Sequence, residues 1–113
     1  IVEKKTADYD LFKQVIEKLI SLTYSQNIDL VFVYIPTSET FLNNKTHLEQ
    51  RKKVLSLTKT LKIGTIDMYN IFVGERKPLN NYYFVGSHLS DQGSKRVAAE
   101  VNNFLTKMRK KKI

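Results

Sequence analysis

The eight residues from Ile28 to Ile35 constrain this chain more than any others. They include Leu30, Val31, Phe32, Val33, Tyr34 and Ile35 with no alternation of polar and apolar positions. A strand that is apolar at successive positions is covered on both faces, as in the parallel sheet of an α/β protein. Pro36 ends the run, because proline has no N–H to give to a ladder. The loop from Pro36 to Lys45 therefore leaves the carboxyl end of a buried strand, the edge where open α/β sheets bind ligands.

The flanking segments have helical spacing. Before the strand, Leu11, Phe12, Val15, Ile16, Leu19 and Ile20 recur as one broad apolar stripe, which predicts a helix capped at Asp8 or Asp10 and running to about Gln26. Residues 1–7 are polar and read as a lead-in. After the strand, Thr46 and Glu49 have the spacing of a capping box, and Leu48, Val54, Leu55, Leu57 and Leu61 continue a helix to about Lys62. A short strand is expected over Gly64 to Met68, then a loop over residues 74–81, and a third strand piece over Tyr82 to Val85. Ser90 can cap a last helix, with Asp91 at the positive end of its dipole and a stripe of Val97, Ala98, Val101, Phe104, Leu105 and Met108. Such alternation of helix and strand builds a doubly wound sheet with right-handed crossovers. Two strands and a fragment make a thin sheet, which is the expectation for part of a larger domain. The first residue, Ile1, is not methionine, and this agrees with a chain cut from something longer.

At 113 residues the chain is one domain by length, and its 42% hydrophobic content argues for a folded core. There is no cysteine, so disulfides and thiolate metal sites are excluded and the compartment stays undecided. No apolar run approaches the roughly 20 residues of a membrane span. Five of the net +8 charges belong to Lys107, Arg109, Lys110, Lys111 and Lys112. Residues 107–113 therefore read as a basic tail, and nucleic acid is not the expected partner. His47 and His88 lie far apart, and neither they nor Asp67 and Asp91 have the spacing of a metal site. The four glycines are scattered and form no phosphate-cradling loop. No metal or cofactor is expected.

The stretch YYFVGSHLSDQGSKRVAAEVNNF, Tyr82 to Phe104, sets His88 in a Gly/Ser loop two residues ahead of the cap of an apolar helix. A histidine held on such a loop can accept and return a proton near neutral pH. His88, Ser90 and Gly93, followed by Val97 and Ala98, resemble the last conserved block of the SGNH (GDSL-type) hydrolases, over about twenty residues. In that family this histidine is the general base for a serine nucleophile. The resemblance implies a three-layer α/β/α, flavodoxin-like fold with a parallel sheet, of which residues 1–113 would be the carboxyl-terminal part. It also implies an esterase or O-acyltransferase acting on ester-linked acyl groups, such as O-acetyl groups on carbohydrate, and makes a location in the cell envelope an option. The chain departs from the family at Val85, where an aspartate usually precedes the histidine by three residues.

The acyl-transfer reading requires a nucleophile, a base, a group to orient the base and oxyanion donors. His88 is the base. Its orienting partner is open among Asp67, Asp91, Glu75 and a backbone carbonyl. None of the seven serines lies in a Gly-Asp-Ser or Gly-x-Ser-x-Gly context. Ser38 is the best placed of them, in the loop after the buried strand. The family's serine, glycine and asparagine blocks would lie before Ile1, in an upstream segment that completes the domain. Tyr82, Tyr83 and Ser87 are the expected substrate contacts, with core packing the competing use of at least one aromatic. The alternative function is a non-catalytic interaction module, or a degenerate hydrolase, that meets an anionic partner through the basic tail.

Overall fold

A computed structural model describes residues 2–83 and 88–112, with side chains over residues 8–83 and 88–111. The chain divides into two compact units, Ile1–Val31 and Phe32–Ile113.

The first unit is essentially one helix, α1 (Val2–Ser25). It begins well before Asp8, so the expected lead-in is helical over residues 2–7. Ser25 is followed by a Schellman-type stop. Asn27 takes a left-handed φ of 56°, its N–H donates to the Tyr24 carbonyl at 3.1 Å, and the Ile28 N–H donates to the Thr23 carbonyl at 2.8 Å. Leu11, Val15, Leu19 and Leu22 of α1 are exposed.

The second unit carries mixed helix and strand. Strand β1 (Val31–Tyr34), which starts at the last residue of the first unit, and β2 (Gly64–Asp67) form a two-stranded parallel sheet. Between them lie a 3-10 turn (Ser38–Leu42) and helix α2 (Lys45–Thr60). Helices α3 (Met68–Val73), α4 (Pro78–Tyr82) and α5 (Asp91–Lys112) follow β2. β1 is shorter than the sequence suggests, and all four of its residues are only half-buried. With one neighbouring strand among the described residues, the apolar run is not enclosed as a central strand would be, and Ile28 and Ile35 are exposed.

Four further expectations are corrected by local chemistry. Helix α2 is capped by Asn44, whose side chain accepts the His47 N–H, and not by Thr46. Met68 begins α3 and does not end β2, because Asp67 caps that helix by accepting the Tyr69 N–H at 3.1 Å. The expected loop over residues 74–81 contains α4, opened by Pro78 in its first turn, where a missing N–H costs nothing. Tyr82 belongs to α4, and Tyr83 makes a single antiparallel bridge to Leu89 where a strand piece was expected. Phe84 and Val85, the rest of that piece, lie outside the described residues.

The core forms around α3. Phe72 and Met68 are fully buried, with Ile66, Leu57 and Tyr83 nearly so. Rings make up much of it: Phe72 stacks on Tyr82 at 4.7 Å and meets Tyr83 edge-on at 6.0 Å, while Phe41 stacks on Tyr69 at 5.2 Å. Helix α5 packs on β2 so closely that a Cβ on Gly64 would stand 2.9 Å from the tip of the Phe104 ring. Its inward face is narrower than the sequence stripe. Val97, Val101, Phe104 and Met108 face inward, and Ala98 and Leu105 face outward. Arg96 ties α5 to the loop between α3 and α4 by bonding Glu75, and bonds Glu100 one turn along the same helix, each at 2.6 Å. Those two bonds, Glu75 first, raise the Arg96 pKa above its ordinary value.

Two substitutions test this account by thermal unfolding. A Cβ at Gly93 would lie 2.3 Å from the Tyr82 carbonyl oxygen and 3.1 Å from Leu89. Gly93→Ala is expected to cost about 1–3 kcal/mol, because backbone must move to admit it. Lys62 ends α2 in the left-handed region at φ 58°, with its N–H on the Lys59 carbonyl and the Ile63 N–H on the Thr58 carbonyl. Lys62→Gly relieves the side-chain clash at a position that favours glycine, and is expected to stabilise by about 0.5 kcal/mol after the added freedom of the unfolded chain.

Candidate functional site

Two groups of polar residues are held on the second unit. The first lies where β1 and β2 end. Helix α2 presents His47 and Arg51, one turn apart, on the same inward face as Val54 and Thr58. Arg51 forms a two-pronged pair with Asp67, Nη2 to Oδ2 and Nε to Oδ1, and lies 4.6 Å over the Tyr69 ring. Tyr34, at the end of β1, has its hydroxyl pKa raised by burial, against the pull of the Arg51 charge. It shares a hydrogen bond with Thr40, which is fully buried.

The same edge carries a second string of contacts. Thr37 Oγ1 lies 3.3 Å from Thr40 Oγ1 and 3.3 Å from His47 Nδ1. His47 Nε2 is 2.9 Å from the Glu39 carboxylate. Thr37 and Glu39 are exposed, and His47 is partly so. Beneath them, the Tyr83 hydroxyl donates to the Pro36 carbonyl at 2.6 Å and so ties the loop after β1 to the core. Burial, and then proximity to Tyr34, raise the Tyr83 pKa, so this hydroxyl keeps its proton and remains a donor.

The second group is the corner between α4 and α5. Ser90 is its pin. Its N–H donates to the Tyr82 carbonyl at 2.8 Å, its hydroxyl donates to the Asn81 carbonyl at 2.7 Å, and the same oxygen accepts the Gly93 N–H at 3.1 Å. Gly93 is buried at this point, and the Tyr82 carbonyl fills the space a side chain would need. His88 stands just outside the pinned turn with an exposed side chain. Its ring makes no hydrogen bond or ion pair with another described residue.

The sequence candidates are not gathered in one place. Asp67 is engaged by Arg51 and by the Tyr69 N–H, and no hydrogen bond joins it to His88. Glu75 is held by Arg96, and Asp91 is the first residue of α5. Ser38 opens the 3-10 turn after β1 and is half-buried. Tyr82 stacks on Phe72, and Tyr83 is buried, so the core takes up the latter ring. Ser87, like Val85, lies outside the described residues. Sequence reading met His47 only as a histidine without metal-site spacing and did not single out Thr37 or Arg51. The usable signal was positional: Thr37 follows a buried strand, and His47 begins the next helix, so both had to meet at the sheet's carboxyl edge.

Among the described residues there is no group of three or more His, Cys, Asp or Glu that could hold a metal ion. Among them, too, no helix is long and apolar enough to cross a membrane. In comparisons with protein-family models, with curated proteins and with solved structures, none matches this chain.

Asp67 supplies a measurable test of the sheet edge. Asp67→Ala removes a helix cap and leaves the Arg51 guanidinium half-buried without its partner, an expected loss of about 2–3 kcal/mol in urea unfolding. Asp67→Asn keeps an oxygen for the Tyr69 N–H and should lose about 1 kcal/mol less.

Proposed function

We propose that this chain is part of a three-layer, flavodoxin-like esterase or O-acyltransferase of SGNH type, acting on ester-linked acyl groups, with His88 as general base. The observation that carries the reading is the α4–α5 corner. Ser90, doubly bonded to α4 and capping α5, lies two residues after an exposed histidine whose ring has no hydrogen bond or ion pair among the described residues. A base must be reachable by substrate, and the exposed ring of His88 meets that requirement. Gly93 gives the matching motif a physical reason, since no other residue fits against the Tyr82 carbonyl. Carbohydrate O-acetyl groups and simple lipid esters are the substrate classes the resemblance brings with it.

A second reading is favoured by the far end of the same helix. α5 stays helical to Lys112, so Lys107, Arg109, Lys110 and Lys111 project from an ordered rod. An interaction module would use that end to grip an anionic polymer. Its binding to polyphosphate or heparin would fall steeply between 50 and 200 mM salt, on the order of tenfold or more.

Hydrolysis of p-nitrophenyl acetate separates the two. Measured in a Thr37→Val background, which removes the exposed hydroxyl facing the His47 imidazole, the catalytic reading expects turnover that falls about 100-fold on adding His88→Ala with unfolding midpoint unchanged. Turnover equal to that of the variant would overturn it.

A further inference from the structure

We propose that Thr37, His47 and Glu39 form a second, independent hydroxyl–imidazole–carboxylate relay, in which Thr37 is a nucleophile toward an electrophilic acyl or phosphoryl centre. The contacts follow a definite order. Glu39 lies 2.9 Å from Nε2 of His47, and in the neutral ring this carboxylate favours the tautomer with its proton on Nε2 and Nδ1 as the acceptor. Nδ1 faces the Thr37 hydroxyl at 3.3 Å, a loose contact of the kind that tightens when an electrophile arrives. Compared with a serine-protease relay, the two ring nitrogens exchange roles, but each group retains its function.

Thr37 has a second neighbour. Buried Thr40 lies 3.3 Å from it and shares a hydrogen bond with Tyr34. Either hydroxyl of the Thr37–Thr40 contact can donate, and the relay uses the arrangement in which Thr40 donates to Thr37 and the Thr37 proton points at Nδ1. Three elements fix the parts. Thr37 has extended backbone three residues after β1, Glu39 lies on the 3-10 turn, and His47 is in the first turn of α2, where its N–H is held by Asn44. Here the hydroxyl and the carboxylate are exposed and the imidazole lies between them, at the sheet edge where open α/β folds bind ligands.

The reaction balances without a further reagent. Thr37 Oγ1 forms a bond to the ester carbonyl carbon as its proton passes to Nδ1 of His47, and Glu39 holds the resulting imidazolium. Collapse breaks the bond to the alcohol oxygen, which departs with the proton from Nδ1. Water, deprotonated by the same nitrogen, then releases the acid from Thr37. With a fluorophosphonate, the first half-reaction forms the Oγ1–P bond, expels fluoride and stops there.

The test is therefore fluorophosphonate labelling of the full chain, read by mapping the peptide that carries position 37. A label on Thr37 is expected in the wild type and, undiminished, in His88→Ala. It should be absent in Thr37→Val, which keeps the shape, and should form at least as fast in Thr37→Ser, which keeps the hydroxyl. In His47→Ala the labelling rate should fall about 100-fold and recover in part with added imidazole. Glu39→Gln should slow it by about tenfold, with Glu39→Asp closer to wild type, as expected for a positioning residue. No label on Thr37, or a label indifferent to His47→Ala, would overturn the relay. Because the signal is read on one peptide, it is independent of whether ester turnover depends on His88.

Discussion

Phe72 is the side chain on which the second unit depends. A two-stranded sheet has little surface with which to build a core, so the burial has to come from elsewhere. It comes from a short helix placed directly after β2, which drives Met68 and Phe72 out of solvent completely. Around Phe72 stand Phe41, Tyr82 and Tyr83, at ring separations of 6.4, 4.7 and 6.0 Å. These three come from the loop after β1, from α4 and from the bridge that precedes α5. One ring thus joins segments that share no ladder. Aromatic side chains suit this work because each buries a large area at the cost of few rotatable bonds.

The same arrangement explains why polar groups collect at one edge. Tyr83 extends from the aromatic cluster and holds Pro36 by its carbonyl, which fixes the start of the loop carrying Thr37 and Glu39. Asp67 ends β2 and starts α3 in one residue, and Arg51 reaches it from α2. Strand ends, a helix cap and an ion pair are therefore one connected structure. The charge on Arg51 is half-buried but has a carboxylate, a ring face and a nearby phenol around it, the condition under which a buried ion is tolerable.

Much of this was legible from residues. Apolar periodicity marked the regions of α1, α2 and α5, and the run before Pro36 marked β1. Ser90 was readable as a cap, and it is one. The misreadings have a common source, which is competition between two residues able to do the same local job. Asn44 caps α2 ahead of Thr46, and Asp67 starts a helix where an apolar pattern suggested more strand. Pro78 nucleated a turn of helix in what read as loop. The site was harder to read because its members are distant in sequence. Thr37 and His47 are brought together by a turn whose left-handed end, Asn43 at φ 61°, carries no periodic signal. Gly93 was visible as part of a motif, but its reason, a carbonyl in the place of a Cβ, needed the structure.

Helix α5 carries opposite charges at its two ends. It begins at Asp91, carries Glu100 near its middle and ends in a run of cations, the order that its own dipole favours. Its 22 residues span about 33 Å at the usual rise. The helix is thus a lever with charge at one end and His88 beside the other. That distance is several Debye lengths at physiological salt, roughly 8 Å each. An anionic surface attracting the basic end would orient the unit without altering the field at His88. The two ends of α5 are thus electrostatically independent, so that salt acting on the basic end would leave the surroundings of His88 as they were.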